Sequence, residues 1–297
     1  MRKLEKEVPY PKIIYKYSKI NEFLFQQMTN NELWFSNPQD FNDPYDCNIG
    51  FNKRKYTEAE VREFWAEKEI GADKKEERIK EWMADPSKIE KFLAEPIKNL
   101  LREKGVTCFT SKNDSILMWS HYANSHKGVC LGFSSEALTK SFYQHEWVTY
   151  ASEFPPTNML KVSEFVSTIM CIKSDFWKYE DEIRIFQKEK GAYIFPKEAL
   201  KEIIFGLNSP LKQIQSVMNM MHQLGYTGVQ FKQVILRNNE FKIHFASLKY
   251  EPKTHSVLKL GASEDSEKIT FSILNPYWEA KKGKKGEVVE KKIDEKR

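Results

Sequence analysis

Between Phe176 and Phe186 the chain reads Phe-Trp-Lys-Tyr-Glu-Asp-Glu-Ile-Arg-Ile-Phe. From Glu182 onward charged and β-branched residues alternate, with Glu182 and Arg184 on one side and Ile183 and Ile185 on the other. A repeat of two is the period of a pleated strand, and a helix would scatter both sets around its surface. The stretch therefore predicts a strand over 176–186, with three carboxylates and a guanidinium crowded together. Glu180, Glu182 and Arg184 project from one side of it, a placement that suits acid–base or cation-stabilising chemistry. The same pattern also suits a charged strand face closed by a Glu–Arg pair, and the stretch alone does not choose between the two.

The rest of the chain has the material to bury such a strand. Hydrophobic residues make up 40% of the 297 and aromatics 13%, enough for a packed core and against global disorder. No apolar run approaches the roughly 20 residues of a membrane helix. The first residues, MRKLEKEVPYPK, are charged and lack the apolar centre of a signal peptide, so a cytoplasmic location with no membrane partner is expected. Cys47, Cys108, Cys130 and Cys171 are widely spaced with no CxxC, which argues against a disulfide framework or structural zinc. A net charge of +5 permits contact with nucleic acid or nucleotide phosphates without requiring it.

Short strand-like runs alternate with helical ones. Strands are expected at Lys12–Tyr17, Leu33–Ser36, Val106–Thr110, Gly128–Phe133, Trp147–Tyr150, Gly191–Phe195, Lys201–Phe205, Gly228–Phe231 and Phe241–Ser247. Helices are expected at Asn21–Met28, Ile116–Ala123, Asn158–Lys173 and from Ser209-Pro210 to Gly225. From Thr57 to Lys104 charged residues dominate, with Phe64, Trp65, Ile79, Trp82, Phe92, Leu93, Ile97 and Leu100 at helical intervals. The expected fold is a single α+β domain over 1–280. It has a mixed, largely antiparallel sheet, surrounding helices and a helical insertion at 57–104. A charged, disordered tail over 281–297 follows.

Three further clusters are candidate sites. Tyr15, Lys16 and Tyr17 with Ser36 suit stacking on a flat ring and holding phosphate, or a plain strand pair. Asn42 and Asp43, with Asp46, sit in the turn-rich loop NPQDFNDPYDC. They either fix the loop through their own backbone or face a cleft. Trp119, Ser120, His121 and Tyr122 lie on a short helix, where His121 could orient a ligand or move a proton. Ser120 and His121 are not a catalytic pair, because neighbours on a helix diverge. The P-loop pattern, GxGxxG after a strand, HExxH and GxSxG are all missing, which disfavours those enzyme classes.

Several of these words occur together in a known order. Tyr15-Lys16-Tyr17, Leu33 to Pro38, Phe41 to Asp46, Cys108-Phe109-Thr110, Met118 to Ala123, Gly128 to Phe133 and Trp177 to Arg184 resemble a bacterial domain-of-unknown-function family, number twenty-nine seventy-one. The resemblance runs from about Lys12 to Leu224 and supplies no activity. A second resemblance is to ADP-ribosyltransferase-like proteins, including DarT-type DNA modifiers. It rests on Lys16 or Tyr17, Ser36 and Glu180-x-Glu182 falling in that order. First-strand histidine or arginine and the Ser-Thr-Ser motif are missing from this chain.

The second resemblance implies an NAD-consuming enzyme of bacterial defence or toxin type, with a nucleic acid or protein acceptor and no metal. Glu182 would stabilise the sugar cation, Glu180 would orient the acceptor, and His121 completes the catalytic candidates. Arg184 would fix the acids. Lys16, Tyr17, Ser36, Asn42, Asp43, Trp119 and Tyr122 are the remaining cofactor-binding candidates. Two other classes stay open: a non-catalytic module binding a nucleotide or phage component, and a metal-dependent nuclease using Asp43, Glu180 and Glu182.

Overall fold

The computed structural model describes residues 10–48, 54–142, 144–237 and 240–260, with the strand residues 271–273, 281–282 and 288–289. In chain order the first elements are β1 (Ile13–Ser18), α1 (Glu22–Asn30) and β2 (Glu32–Phe35). Three helices follow, α2 (Glu58–Ala66), α3 (Ala72–Ala84) and α4 (Ser87–Glu103). Next come β3 (Gly105–Thr110), α5 (Ile116–Tyr122), β4 (Val129–Ser134), α6 (Ser135–Ser141), β5 (Gln144–Trp147) and β6 (Thr149–Ala151). After α7 (Val162–Met170) lie β7 (Ile172–Ser174), β8 (Glu182–Gln187), β9 (Gly191–Ile194) and β10 (Leu200–Phe205). The chain continues through α8 (Leu211–Gln223), β11 (Gln230–Ile235), β12 (His244–Glu251), β13 (Ser256–Leu260) and β14 (Phe271–Ile273). The fold is α+β, with a mixed and mostly antiparallel sheet.

The described chain forms two compact units. The first gathers residues 1–32, 112–138 and 195–297. Its strands run in the order β14-β13-β12-β11-β10-β4-β1. β10 and β11 are parallel and joined by α8, since a parallel pair needs a crossover. Ile214, Val217, Met218 and Met221 of α8 are buried, and Gly225 takes the left-handed conformation just beyond the helix (φ +71°).

The second unit gathers residues 33–111 and 139–194. β8 lies between β3 and β5, antiparallel to both. Thr57 and Glu60 close a reciprocal capping box that starts α2. Asp85 accepts hydrogen bonds from the amide and hydroxyl of Ser87 where α4 begins. Trp65, Trp82, Ile89, Leu93, Ile97 and Leu101 from α2–α4 share one apolar core with Phe165, Ile169 and Met170 of α7.

Two local expectations need correction. Residues 176–180 do not extend the strand: Asp175–Glu180 is a 3-10 turn, and the strand begins at Glu182. Asp181 between them is left-handed (φ 46°), a conformation that Asp tolerates better than most residues and that breaks both elements. The helix expected to reach Lys173 ends at Met170, and Ile172–Ser174 pairs with β6 instead. Most of the 281–297 tail lies outside the described residues.

Candidate functional site

The strongest concentration of buried charge is in the second unit. β8 is flanked by a strand on each edge and buried on both faces: Arg184, opposite Cys108 and Glu146, is fully buried, and Glu182 is 4% exposed. The side chains that the alternating pattern placed on a charged face are therefore sealed inside. Buried charges persist only when paired, and three neighbouring segments bring the partners.

The loop after β2 brings Asp46. Asn37 at its start donates to the carbonyl of Arg102 at 2.5 Å. The Asp43 carboxylate accepts from the Tyr45 amide at 2.9 Å, and the Asp43 carbonyl accepts from the Asp46 amide at 3.1 Å. These turns aim Asp46 inward. β7 brings Lys173, and the 3-10 turn brings Glu180. The turn is held by Ser111, whose amide donates to the Asp181 carbonyl at 3.3 Å and whose hydroxyl bonds the Asp181 carboxylate.

At the centre, Arg184 Nε donates to Glu182 Oε1 at 2.8 Å. Its Nη1 and Nη2 fork onto Asp46 Oδ1 and Oδ2 at 2.9 and 2.6 Å, and Nη1 also reaches the Met170 carbonyl at 2.8 Å. Phe41 lies under the guanidinium with its ring centre 5.2 Å away. Lys173 Nζ donates to Glu180 Oε2 at 2.5 Å and to Glu182 Oε2 at 3.2 Å, stands 3.7 Å from Asp46 Oδ2, and lies 5.0 Å from the ring centre of Trp177. The Glu182 amide donates to the Tyr150 hydroxyl oxygen at 2.9 Å.

Two cations face three carboxylates, which leaves one formal negative charge in excess. Burial alone would push the Glu182 carboxyl up. The charge and hydrogen bonds of Arg184, with the charge of Lys173, outweigh it and hold the group down at about 2. Burial would likewise lower Lys173 and Arg184, but Glu182 and its companion acids hold both above their usual range. Glu182 is thus a permanently ionised carboxylate at neutral pH. It cannot serve as a general acid, and its chemistry is that of fixed negative charge.

The structure brings Glu180, Glu182 and Arg184 together. Ser36 and Asp43 belong to the same unit, as does Asn42, which is exposed. The Ser36 amide and carbonyl bridge to Val106 at 2.9 and 2.8 Å. Asp43 is buried, and its Oδ2 has no hydrogen-bond partner among the described residues. Among the described residues no group of three or more His, Cys, Asp or Glu is arranged to hold a metal ion.

Lys16, Tyr17, Trp119, His121 and Tyr122 belong to the other unit. There Trp119 is wholly buried, donates from its indole to the Asn113 carbonyl at 2.9 Å, and meets Tyr17 edge-on at 5.1 Å. The Tyr17 hydroxyl donates to the Lys112 carbonyl at 3.0 Å. These two rings build core. His121 stands exposed in the last turn of α5, and Lys16 and Tyr122 are half-buried.

Sequence reasoning missed Lys173 and Tyr150 and noticed Asp46 only as a loop residue. A lysine ending an apolar run, Ile169-Met170-Cys171-Ile172-Lys173, was a signal for a buried cation. Nothing in the sequence marked Tyr150, whose partner is a backbone amide.

Residues 118–185 match the sequence profile of a family described as protein of unknown function (DUF2971), and the chain resembles that family over this stretch. The matched segment contains Tyr150, Lys173, Glu180, Glu182 and Arg184, and leaves Asp46 outside. No curated protein and no solved structure matches the chain. No helix among the described residues is long and apolar enough to cross a membrane.

Proposed function

We propose that this chain is an NAD-consuming enzyme of the ADP-ribosyltransferase type, of bacterial defence or toxin kind, acting in the cytoplasm on a nucleic acid or protein acceptor. The observation that carries the reading is the ionised Glu182 at the first position of β8, inside a cluster with one carboxylate in excess. The Lys173 ammonium lies between Glu180 and Glu182 and against Trp177, which marks a place where positive charge is stabilised.

The reaction has matching needs. The bond between ribose C1′ and the nicotinamide nitrogen breaks, and its electron pair leaves with nicotinamide, which becomes neutral. The sugar is left as an oxocarbenium ion. The acceptor nucleophile forms the new bond to C1′ and gives its proton to solvent. A fixed carboxylate beside the developing cation lowers the barrier by about 2–4 kcal/mol, the range for one well-placed electrostatic group. In this reading Glu182 supplies that charge and Glu180 orients the acceptor, while Arg184 and Lys173 keep both acids in place; because both acids are buried, the reaction requires the cover over them to open to admit the sugar.

A second reading, a non-catalytic binding module, is favoured by the completeness of the pairing: Lys173 and Arg184 already satisfy the Glu182 carboxylate. One assay separates the two. Purified protein is incubated with NAD and candidate DNA, RNA and protein acceptors, and nicotinamide release is followed for wild type and Glu182→Gln. Release by the wild type with loss in a folded variant supports the transferase. No release with any acceptor overturns it in favour of the module, and equal rates remove Glu182 from the chemistry.

A further inference from the structure

A cleft of about 720 Å³ opens on the first unit, where the first residues of β1, β10 and β11 meet the end of β4. Its floor is built around Glu202, which is 6% exposed. Gly132 faces Glu202 across the β4–β10 pair, and a Cβ there would press on the Glu202 side chain. The missing side chain lets Glu202 lie on the sheet. It accepts from the Tyr15 hydroxyl at 2.8 Å and pairs with Lys232 on the neighbouring strand. Tyr15 is held well above its ordinary range by burial and by Glu202, so its proton stays in that bond.

Lys12 and Lys201 belong to the same lining. Both are exposed, both line the cleft, and neither ammonium has a hydrogen-bond or ion-pair partner among the described residues. Lys232 is neutralised by Glu202, and Glu136 is the other acid in the lining. Three ammonium groups against two carboxylates leave one positive charge in excess, carried by two cations whose demand the protein does not meet. The Gln230 side chain adds an amide to the lining. The volume is that of a small-molecule site.

We propose that this cleft is a second binding site, for a small phosphate-bearing molecule. Lys12 and Lys201 hold the phosphate, and the Tyr15–Glu202–Lys232 floor supplies a carboxylate for a hydroxyl or amine elsewhere on the ligand. Glu202 has lone pairs left after accepting two hydrogen bonds, so the floor can take a donor without losing its own geometry. The site stands independently of the transferase reading, because none of its residues belongs to the β8 cluster.

The test uses the full chain and inorganic pyrophosphate as probe, titrated calorimetrically at low and at physiological salt. Saturable binding at physiological salt is expected. The double variant Lys12→Gln/Lys201→Gln should weaken it at least tenfold, while Lys188→Gln/Lys190→Gln, exposed lysines in the other unit, should change it less than twofold. Thermal denaturation of both variants verifies that they fold. No saturable binding, or equal weakening by both pairs, overturns the proposal, the latter by showing only general attraction of an anion to a basic protein.

Discussion

Arg184 Nη2 donates to Asp46 Oδ2 at 2.6 Å, across 138 positions of sequence, while Nη1 reaches Oδ1 of the same carboxylate at 2.9 Å. This two-pronged bond ties the loop after β2 to the middle of β8. The guanidinium is wholly buried, so loss of Asp46 leaves a charge that water cannot reach. Asp46→Ala should therefore cost about 3–5 kcal/mol of stability, the range for breaking one partner of a buried pair. Urea denaturation measures it. A loss below about 1 kcal/mol would mean that Glu182 and the Met170 carbonyl suffice for Arg184.

Glu182 makes stability depend on acid. Its carboxyl is held at about 2 in the folded chain against an ordinary 4.5. A depressed folded value contributes stability that is complete above the unfolded value and is lost as pH falls toward the folded one. The loss should therefore run from about pH 4.5 down to about pH 2, and be on the order of 3 kcal/mol. Denaturation midpoints across that window should fall more steeply for wild type than for Glu182→Gln. Parallel profiles would show that Glu182 titrates normally.

The Tyr150 hydroxyl accepts the amide hydrogen of Glu182 at 2.9 Å, the first residue of β8. Tyr150→Phe keeps the ring and removes that acceptor, leaving a backbone N–H without its bond. Such a loss costs about 1–3 kcal/mol. If Glu182 acts on the sugar cation, the variant should also lower the rate of nicotinamide release more than it raises the NAD concentration needed for half-maximal rate. Unchanged stability would show that water replaces the hydroxyl.

How much of this was legible depended on the range of the interaction. The alternation at Glu182–Ile185 was local, and it located β8 and paired Glu182 with Arg184. The apolar stripe of α8 is local too. Whether the charged face met water or protein was not legible, because the cover over Arg184 comes from residues near 46, 109 and 170. Trp119 shows the converse: an aromatic word that suits a ligand slot is in fact wholly buried against Tyr17. The division into two units was hidden because both draw on scattered segments.

The turn after α5 carries the last prediction. Asn124, Ser125 and His126 are consecutive left-handed residues, with φ of 48, 54 and 64°. None is glycine, so each carries a conformational cost that surrounding bonds must offset. The His126 amide donates to the Trp119 carbonyl at 3.1 Å, and the His126 carbonyl accepts from the Asn208 amide at 2.9 Å. Burial lowers the His126 ring, which keeps it neutral, with Nε2 3.2 Å from the Ser120 hydroxyl oxygen. Gly206, at the end of β10, passes so close that a Cβ on it would overlap the His126 carbonyl. Gly206→Ala must therefore push the turn away and break the Asn208 bond. We expect a loss of about 3 kcal/mol, at the upper end for overpacking, because backbone rather than a side-chain tip must move. Gly71→Ala, where an added Cβ meets no atom within 4 Å, is the control and should stay within about 0.5 kcal/mol of wild type. Equal midpoints for the two variants in urea would show that the turn yields freely and that its three left-handed residues are not held by the strand beside them.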